Sequence, residues 1–128
     1  MDERTIEILK RFDNSWIETE LKYDNLIIDI TGFDHLIPLR QFIYQLRQAG
    51  EDKYFRLGTS MHSLIFSRSV DFGLRTDQKY IKIEAIGIDD FEVIFRDGVK
   101  TYREYRINNL NDPKLTKLLR TLKSTLVD

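Results

Sequence analysis

Apolar residues recur every three or four positions at the start of the chain, which is the pattern of an amphipathic helix. Residues 2 to 22 follow this pattern and keep charged residues on the opposite side. The positions predicted to face the core are Ile6, Leu9, Phe12, Trp16 and Ile17. The next segment, 23 to 31, contains the β-branched run LIIDIT, so we predict a short strand there, closed by Gly32.

Two further helices are predicted from their start and stop signals. One begins between Asp34, a suitable cap, and Ile37, has Pro38 in its first turn, and ends at Gly50. Its apolar stripe consists of Leu36, Leu39, Phe42, Ile43 and Leu46. The other follows Asp112 and Pro113, with core positions at Leu115, Leu118, Leu119, Leu122 and Leu126.

Between these helices, from Tyr54 to Asn108, the apolar period changes to two, which predicts an antiparallel sheet. The predicted strands cover 53–58, 62–70, 79–88, 91–96 and 99–107. The chain is therefore expected to form a single α+β domain over residues 1–128. Its predicted architecture is an antiparallel sheet of four to six strands, with N-terminal helices and a C-terminal helix packed on one face.

The turn around Gly98 sets the register of the last hairpin. A two-residue turn would place Phe95 opposite Lys100 and Val93 opposite Tyr102. A three-residue loop with a left-handed Gly98 instead pairs Phe95 with Val99 and Val93 with Thr101. We favour the three-residue loop because it gathers apolar side chains on one face, namely Phe91, Phe95, Val99, Tyr105 and Ile107.

Composition restricts the chemistry. The 128 residues carry a formal net charge of −1, which lacks the bulk electrostatic signature of a strongly DNA-coating protein. The absence of cysteine excludes disulfides, thiolate zinc sites, iron–sulfur clusters and a cysteine nucleophile. A charged N-terminus without an apolar signal region, and the lack of any membrane-length apolar run, predict a cytoplasmic protein.

His35 and His62 are the side chains expected to titrate near neutrality without a large shift of pKa. The sequence contains no HExxH, P-loop, GxGxxG, GxSxG or EF-hand motif. These absences weaken an enzyme interpretation without excluding it, and no cofactor or metal is predicted.

The segment from Arg56 to Arg75 is the strongest candidate for a ligand site. A glycine turn, hydroxyls and guanidiniums can bind an anion or a small molecule, and the candidates are Arg56, Ser60, His62, Arg68 and Arg75. An ordinary β-hairpin with a Gly-Thr-Ser turn explains the same residues and is the favoured interpretation. The order Ser60, His62, Asp71 also permits a nucleophilic triad, but a triad is defined by geometry.

Two charged clusters have ordinary explanations as well. Glu84, Asp89, Asp90 and Glu92 could hold a divalent cation, although an aspartate-rich turn accounts for them. Four cations on the last helix give a third hypothesis, nucleic-acid binding, which is disfavoured because they spread around the helix. They are Lys114, Lys117, Arg120 and Lys123.

Tyr80, Ile94 and Tyr102 are predicted to lie on the outward face of the sheet among charged residues. Apolar anchors within a polar rim are typical of a partner surface. The leading prediction is therefore a non-catalytic protein–protein interaction or self-association module, with a protein partner or a homodimer. A small-molecule or anion binder using the 56–75 hairpin is the main alternative, and no membrane association is expected.

Overall fold

The computed structural model describes residues 2–70, 78–125 and 127, and within them the chain is an α+β fold as predicted. The helices and strands, in chain order, are α1 (Glu3–Asp29), α2 (Ile37–Gln48), β1 (Arg56–Ser60), β2 (Ser63–Ser67), β3 (Lys79–Gly87), β4 (Asp90–Asp97), β5 (Lys100–Ile107) and α3 (Pro113–Lys123). Short 3-10 turns cover Asp34–Leu36 and Glu51–Lys53. Across the described ranges no helix combines the length and apolarity that a membrane span requires.

The five strands form one antiparallel sheet in the order β1-β2-β3-β4-β5, so strands that are neighbours in the sheet are also neighbours in the chain. Alternate residues of these strands face the helices and join side chains from α1, α2 and α3 in one hydrophobic cluster. Trp16, Phe66, Val93 and Leu122 lie at its centre and are fully buried. The predicted placement of the helices on one face is confirmed.

The predicted strand over residues 23–31 is wrong, because α1 continues to Asp29. Tyr23 is fully buried, and Leu26 and Ile27 pack against the core one turn later. These positions continue the helical spacing that begins at Phe12 and Trp16. Burial of that face outweighs the weak strand propensity of the β-branched residues.

The assignment of Ile6 and Ile17 to the core face of α1 is also wrong, since they are 53% and 41% exposed. The core face instead runs through Phe12, Ser15, Trp16, Thr19 and Tyr23. At about 100° per residue, Ile17 points about 140° away from Phe12 around the helix. The core face therefore includes two small polar residues, Ser15 and Thr19, whereas the hydrophobicity pattern predicts Ile6 and Ile17 there.

The last hairpin adopts neither of the two registers considered from the sequence. Its turn consists of Gly98 and Val99, with Asp97 paired to Lys100, and Gly98 has a φ of 63°. A bulge follows, because Phe95 pairs with Arg103 while Arg96 pairs with Thr101, leaving Tyr102 as the extra residue. The bulge restores the alternation, so Tyr105 and Ile107 reach the core side while Val99 is 87% exposed.

The second helix matches its prediction except at its cap. Asp34 begins a 3-10 turn, and α2 has no side-chain cap at its N-terminus. Pro38 lies in the first turn and Gly50 adopts a φ of 82° beyond the last turn, as the sequence indicated. Asp112 does cap α3, where its carboxylate accepts from the backbone N–H of Lys114 at 2.9 Å.

Candidate functional site

The tip of the β1–β2 hairpin is anchored by α1. Ser60 pairs with Ser63, so Met61 and His62 form the turn. The hydroxyl of Tyr23 donates to the carbonyl oxygen of His62 at 2.9 Å, and Lys22 Nζ donates to the Met61 carbonyl at 3.0 Å. The structure therefore gives the candidate ligand residues Ser60 and His62 a position at a turn that α1 supports.

The imidazole of His62 meets an aromatic neighbour. Its ring lies edge-on to Phe33, with centroids 4.8 Å apart, and the ring of His35 stacks beside Phe33 at 6.1 Å. The two histidines thus flank one phenyl ring, close to the loop at Gly32.

Arg56 and Arg68 lie toward the other end of the hairpin and bind main-chain carbonyls. Arg68 donates to Tyr54 O at 2.6 Å and to Thr125 O at 3.2 Å, while Arg56 donates to Val70 O. Burial lowers the pKa of the Arg68 guanidinium. The structure does not bring Arg68 to Ser60 and His62, and the candidates Arg75 and Asp71 lie outside the described residues.

A cleft of about 330 Å³ separates α1 from β1 and contains part of the predicted ligand segment. Lys22 and Glu18 from α1 line it, opposite Arg56 and Thr59. The Lys22 ammonium already donates to Thr59 Oγ1 at 2.7 Å, and Ser15 Oγ accepts from the Leu57 N–H at 3.0 Å. These polar groups therefore have partners within the protein.

Two shallow clefts share Phe42, Leu110 and Asn111: one of about 340 Å³ lies between α2, the β3–β4 hairpin and residues 108–111, and one of about 300 Å³ lies between α2 and α3. The first has a carboxamide rim that includes Gln41, Gln45 and Asn108. Asp89 of the acidic cluster lines this first cleft, but Arg56, Ser60, His62 and Arg68 do not.

The acidic cluster near the β3–β4 turn is engaged by an arginine. Both carboxylate oxygens of Asp90 accept from Arg106, at 2.8 and 2.7 Å, and this bonding lowers the Asp90 pKa. Asp89 sits in the turn with a φ of 55°. Among the residues that can be described, no three potential ligands converge on a common point.

Two of the four cations of α3 already interact with other residues of the chain. Lys123 pairs with Glu51 at 2.7 Å and lies over the Tyr54 ring, while Lys114 lies over the Tyr105 ring. Lys117 and Arg120 are exposed. The structure therefore distributes the four residues over different surroundings.

The three residues predicted as a partner surface also have different surroundings. Tyr80 is 8% exposed and Ile94 is half-buried, both on the side of the sheet away from the helices. Tyr102 is 52% exposed, and its ring lies against the core residue Phe95 at 5.9 Å. Tyr102 therefore contributes most of the accessible apolar area of this set.

A longer row of exposed apolar residues lies on α1. Its members are Ile6, Ile17, Leu21 and Ile28, here called the α1 stripe, and they are 53%, 41%, 56% and 77% exposed. At about 100° per residue they fall within about 60° of one another on the helix, and the stripe is about 33 Å long. It points away from the side that buries Trp16 and Tyr23.

Sequence reasoning missed this stripe because it assigned two members to the core and placed Ile28 in a strand. The sequence did contain a signal for it. If the first helix is continued to Asp29, then Ile6, Ile17, Leu21 and Ile28, at spacings of eleven, four and seven residues, form a second apolar face. The polar residues Ser15 and Thr19 on the true core face concealed it.

Ion pairs with α2 fix one flank of the α1 stripe. Arg47 pairs with Asp13 at 2.9 Å and with Glu20, and Arg40 pairs with Asp24 at 2.7 Å. The hydrogen bond that Arg40 donates to the Asp24 carboxylate is the main cause that raises the pKa of Arg40. The stripe therefore has a charged border on the side that is paired with α2.

Comparison with known protein families, curated proteins and solved structures gave no match for this chain.

Proposed function

We propose that this chain is a non-catalytic interaction domain that docks a protein partner through the α1 stripe. One observation carries the proposal: four aliphatic side chains, each 41% to 77% exposed, are aligned on the helix face opposite the core. The solvent side of a surface helix is ordinarily charged or polar. An aligned aliphatic row on that side is therefore unusual.

The surroundings of the stripe support this assignment. Ile17 and Leu21 are one helical turn apart and form a contiguous exposed apolar pair, and contiguous exposed apolar surface marks interaction sites. Lys10, Asp13 and Asp24 lie along the same side of the helix, and an apolar centre within a charged rim is the anatomy of an interface. The stripe replaces the sheet surface around Tyr80, Ile94 and Tyr102 as the preferred docking face.

The small-ligand alternative receives less support. It needs Arg56, Ser60, His62 and Arg68 to converge, but both arginines donate to backbone carbonyls at the far end of the hairpin from His62.

A capture experiment with matched variants tests the proposed function. Tagged wild-type chain, the double variant Ile17→Lys/Leu21→Lys and the control Ile86→Lys/Ile88→Lys are each incubated with nuclease-treated lysate of the source cells. The control replaces two equally apolar side chains, Ile86 near the end of β3 and Ile88 in the β3–β4 turn, which are 44% and 74% exposed. The lysine substitutions should preserve the helix, because each new lysine has acidic residues three or four positions away. These residues are Asp13, Glu18, Glu20 and Asp24.

We expect the wild type and the control to retain the same protein in stoichiometric amount, and the α1 variant to lose it. Equal retention by all three chains would overturn the docking surface. Urea unfolding followed by Trp16 fluorescence confirms that each variant is folded, since Trp16 is fully buried in the core.

A further inference from the structure

We propose that the cleft of about 340 Å³ between α2, the β3–β4 hairpin and residues 108–111, here called the amide cleft, binds a neutral carbohydrate. The chain contains nine asparagine and glutamine residues, and five of them line this one cleft. The described residues that line it include no member of the α1 stripe, so the inference goes beyond the proposed function. The five carboxamides belong to Gln41, Gln45, Asn108, Asn109 and Asn111.

Four of these five carboxamides are free to bind a ligand. Asn109 is used by its own loop, because its Oδ1 accepts from the Asn111 N–H at 2.8 Å. Within residues 2–70 and 78–125, the side-chain amides of the other four make no hydrogen bond to another group of the protein. All four residues are exposed. Each amide can therefore donate through its NH₂ group and accept through its oxygen at the same time.

The elements that carry these side chains are held in place by the fold. Gln41 and Gln45 are one turn apart on α2, so they lie on the same side of that helix. The loop after β5 is closed by the turn at Asn109. The β3–β4 hairpin is fixed to β5, because both carboxylate oxygens of Asp90 accept from Arg106. A ligand therefore meets elements that need little rearrangement, which lowers the cost of binding.

Asp89 is the charged side chain of the amide cleft. It is the one charged residue among the described residues that line the cleft, and it is exposed. It lies in the β3–β4 turn with a φ of 55°, which is uncommon for a residue other than glycine. An ionised carboxylate only accepts hydrogen bonds, so beside the carboxamides it favours ligand groups that donate, such as hydroxyls.

The lining favours a neutral ligand that carries several hydroxyls. No described lining residue is lysine or arginine, so a phosphate or carboxylate would find no cation, and Asp89 would repel it. Phe42 and Phe91 are 6% and 1% exposed, so neither ring face is open for a nucleobase to stack on. A sugar fits both conditions, because its hydroxyls donate and accept while its C–H faces pack on apolar groups. The apolar part of the lining consists of Pro38, Phe42, Phe91 and Leu110.

The size of the cleft indicates a small saccharide and weak binding. Its volume of about 340 Å³ is near the lower end of the range for small-ligand sites, about 300 to 1,000 Å³. Its polar groups are in contact with water, which competes for the same hydrogen bonds. We therefore expect a mono- or disaccharide to bind with a Kd on the order of 1 mM.

NMR of the ¹⁵N-labelled chain tests the site, because the side-chain NH₂ groups of asparagine and glutamine are observed directly. Maltose, cellobiose, lactose and N,N′-diacetylchitobiose are added separately, each up to about 50 mM. We expect at least one of them to shift the carboxamide signals of the cleft saturably and to leave the other carboxamides unchanged. No saturable shift with any of the four sugars overturns the inference.

Matched variants locate the binding. Gln45→Ala/Asn108→Ala should weaken it about tenfold or more, through the loss of two carboxamides. The control Asn25→Ala/Gln48→Ala removes two exposed carboxamides that do not line the cleft, and it should bind as wild type does. Equal affinity of the wild type and the Gln45→Ala/Asn108→Ala variant would show that the sugar binds elsewhere, which overturns the inference.

Asp89→Gly separates binding from folding. Glycine adopts the left-handed conformation at this position readily, so the variant should unfold at the same urea concentration as wild type or a higher one. It should nevertheless bind the sugar about fivefold more weakly, because the carboxylate is lost. Unchanged affinity in this variant would contradict the assignment of Asp89 to the site.

Two further probes distinguish the class of ligand. Glucuronate should bind more weakly than glucose, since its carboxylate is repelled by Asp89. N-acetyl-diglycine amide is a neutral peptide whose main chain also pairs with carboxamides. If this peptide shifts the signals of the cleft and no sugar does, the cleft binds a peptide chain and the carbohydrate inference is wrong.

Discussion

Tyr23 ties the long first helix to the β1–β2 turn through one hydroxyl. Its ring is fully buried, its O–H donates to His62 O at 2.9 Å, and burial raises its pKa. Because the ionised form is more favourable in the unfolded chain, this residue's contribution is complete below the unfolded pKa of about 10 and declines as pH rises above it.

We expect Tyr23→Phe to cost about 1 kcal/mol of unfolding free energy at pH 7 through the lost hydrogen bond. The variant should also lose less stability than wild type between neutral pH and about pH 11, since no buried phenol remains there to ionise. Urea unfolding at both pH values measures this, with Tyr44→Phe, 57% exposed, as the control. An equal alkaline loss in both variants would contradict the assignment.

Met61 occupies a backbone conformation that ordinarily belongs to glycine. It is the first residue of a two-residue turn, has a φ of 56°, and is 85% exposed. The equivalent position of the β4–β5 turn holds Gly98, with a φ of 63°. We expect Met61→Gly to stabilise the chain by about 0.5 to 1 kcal/mol, because relief of left-handed strain exceeds the added chain entropy.

Thermal or urea unfolding of Met61→Gly checks this expectation. Val99→Gly is the control, because Val99 is 87% exposed and follows Gly98 at the second position of its turn without a positive φ. Only the first substitution should raise stability. A loss at position 61 as large as that at 99 would show that Met61 is not strained.

At the scale of elements, α1 has two apolar sides and a charged flank between them. Glu20 accepts from Arg47 and pairs with Arg40, and its side chain is 15% exposed. This arrangement joins α1 to α2 away from the hydrophobic core. Neutralising this partly buried carboxylate removes one ion pair from each of the two guanidiniums, which keep Asp24 and Asp13 as partners.

Glu20→Gln is therefore expected to lower the unfolding free energy by about 1 to 2 kcal/mol. Glu18→Gln provides the matched control, since Glu18 is exposed on the same helix. Chemical denaturation at low and high salt measures both variants. A Glu20 effect no larger than that of Glu18 would mean that these ion pairs contribute nothing to the attachment of α2.

The same helix shows how far the sequence predicted the fold. The helices from 37 and 113 and the positions of all five strands followed from regular periods and from helix-start signals such as Pro38 and Pro113. The extent of α1 did not, because LIIDIT has strand propensity and only tertiary burial of Tyr23, Leu26 and Ile27 decides in favour of helix.

The candidate surface was harder to predict than the fold. A helix with Ser15 and Thr19 on its buried face and four aliphatic residues on its outer face gives two competing apolar patterns. The hairpin register depended on a bulge at Tyr102, and a bulge has no clear sequence signature. In both cases, the face of α1 and the register of the last hairpin, a shift of one residue along the chain changes which side chains share a face.

Across the whole molecule, Arg68 connects segments that are distant in the chain. Its guanidinium donates to Tyr54 O before β1 and to Thr125 O after α3. We expect Arg68→Ala to cost about 1 to 2 kcal/mol, since hydrogen bonds from charged donors exceed neutral ones. Because both bonds are internal, the thermal shift produced by inorganic phosphate should not change.

Differential scanning fluorimetry with and without phosphate measures both effects. Arg120→Ala, an exposed cation on α3, is the control and should leave the melting temperature unchanged. A phosphate-dependent shift that disappears only in Arg68→Ala would instead favour the anion site predicted from the sequence.

The order of the sheet has a consequence for how the chain folds. Each strand pairs with its chain neighbour, so the hairpins close over short distances and at small entropic cost. The attachment of α1 to β1 spans much more chain, since Trp16 Nε1 donates to Phe55 O and Ser15 Oγ accepts from Leu57 N–H at separations of 39 and 42 residues. We expect this docking to limit the folding rate, and Trp16, the single tryptophan, reports it directly by stopped-flow fluorescence. During synthesis α1 leaves the ribosome before the strands of the sheet, so the side of α1 that carries Trp16 and Tyr23 stays uncovered until β1 and β2 have been made.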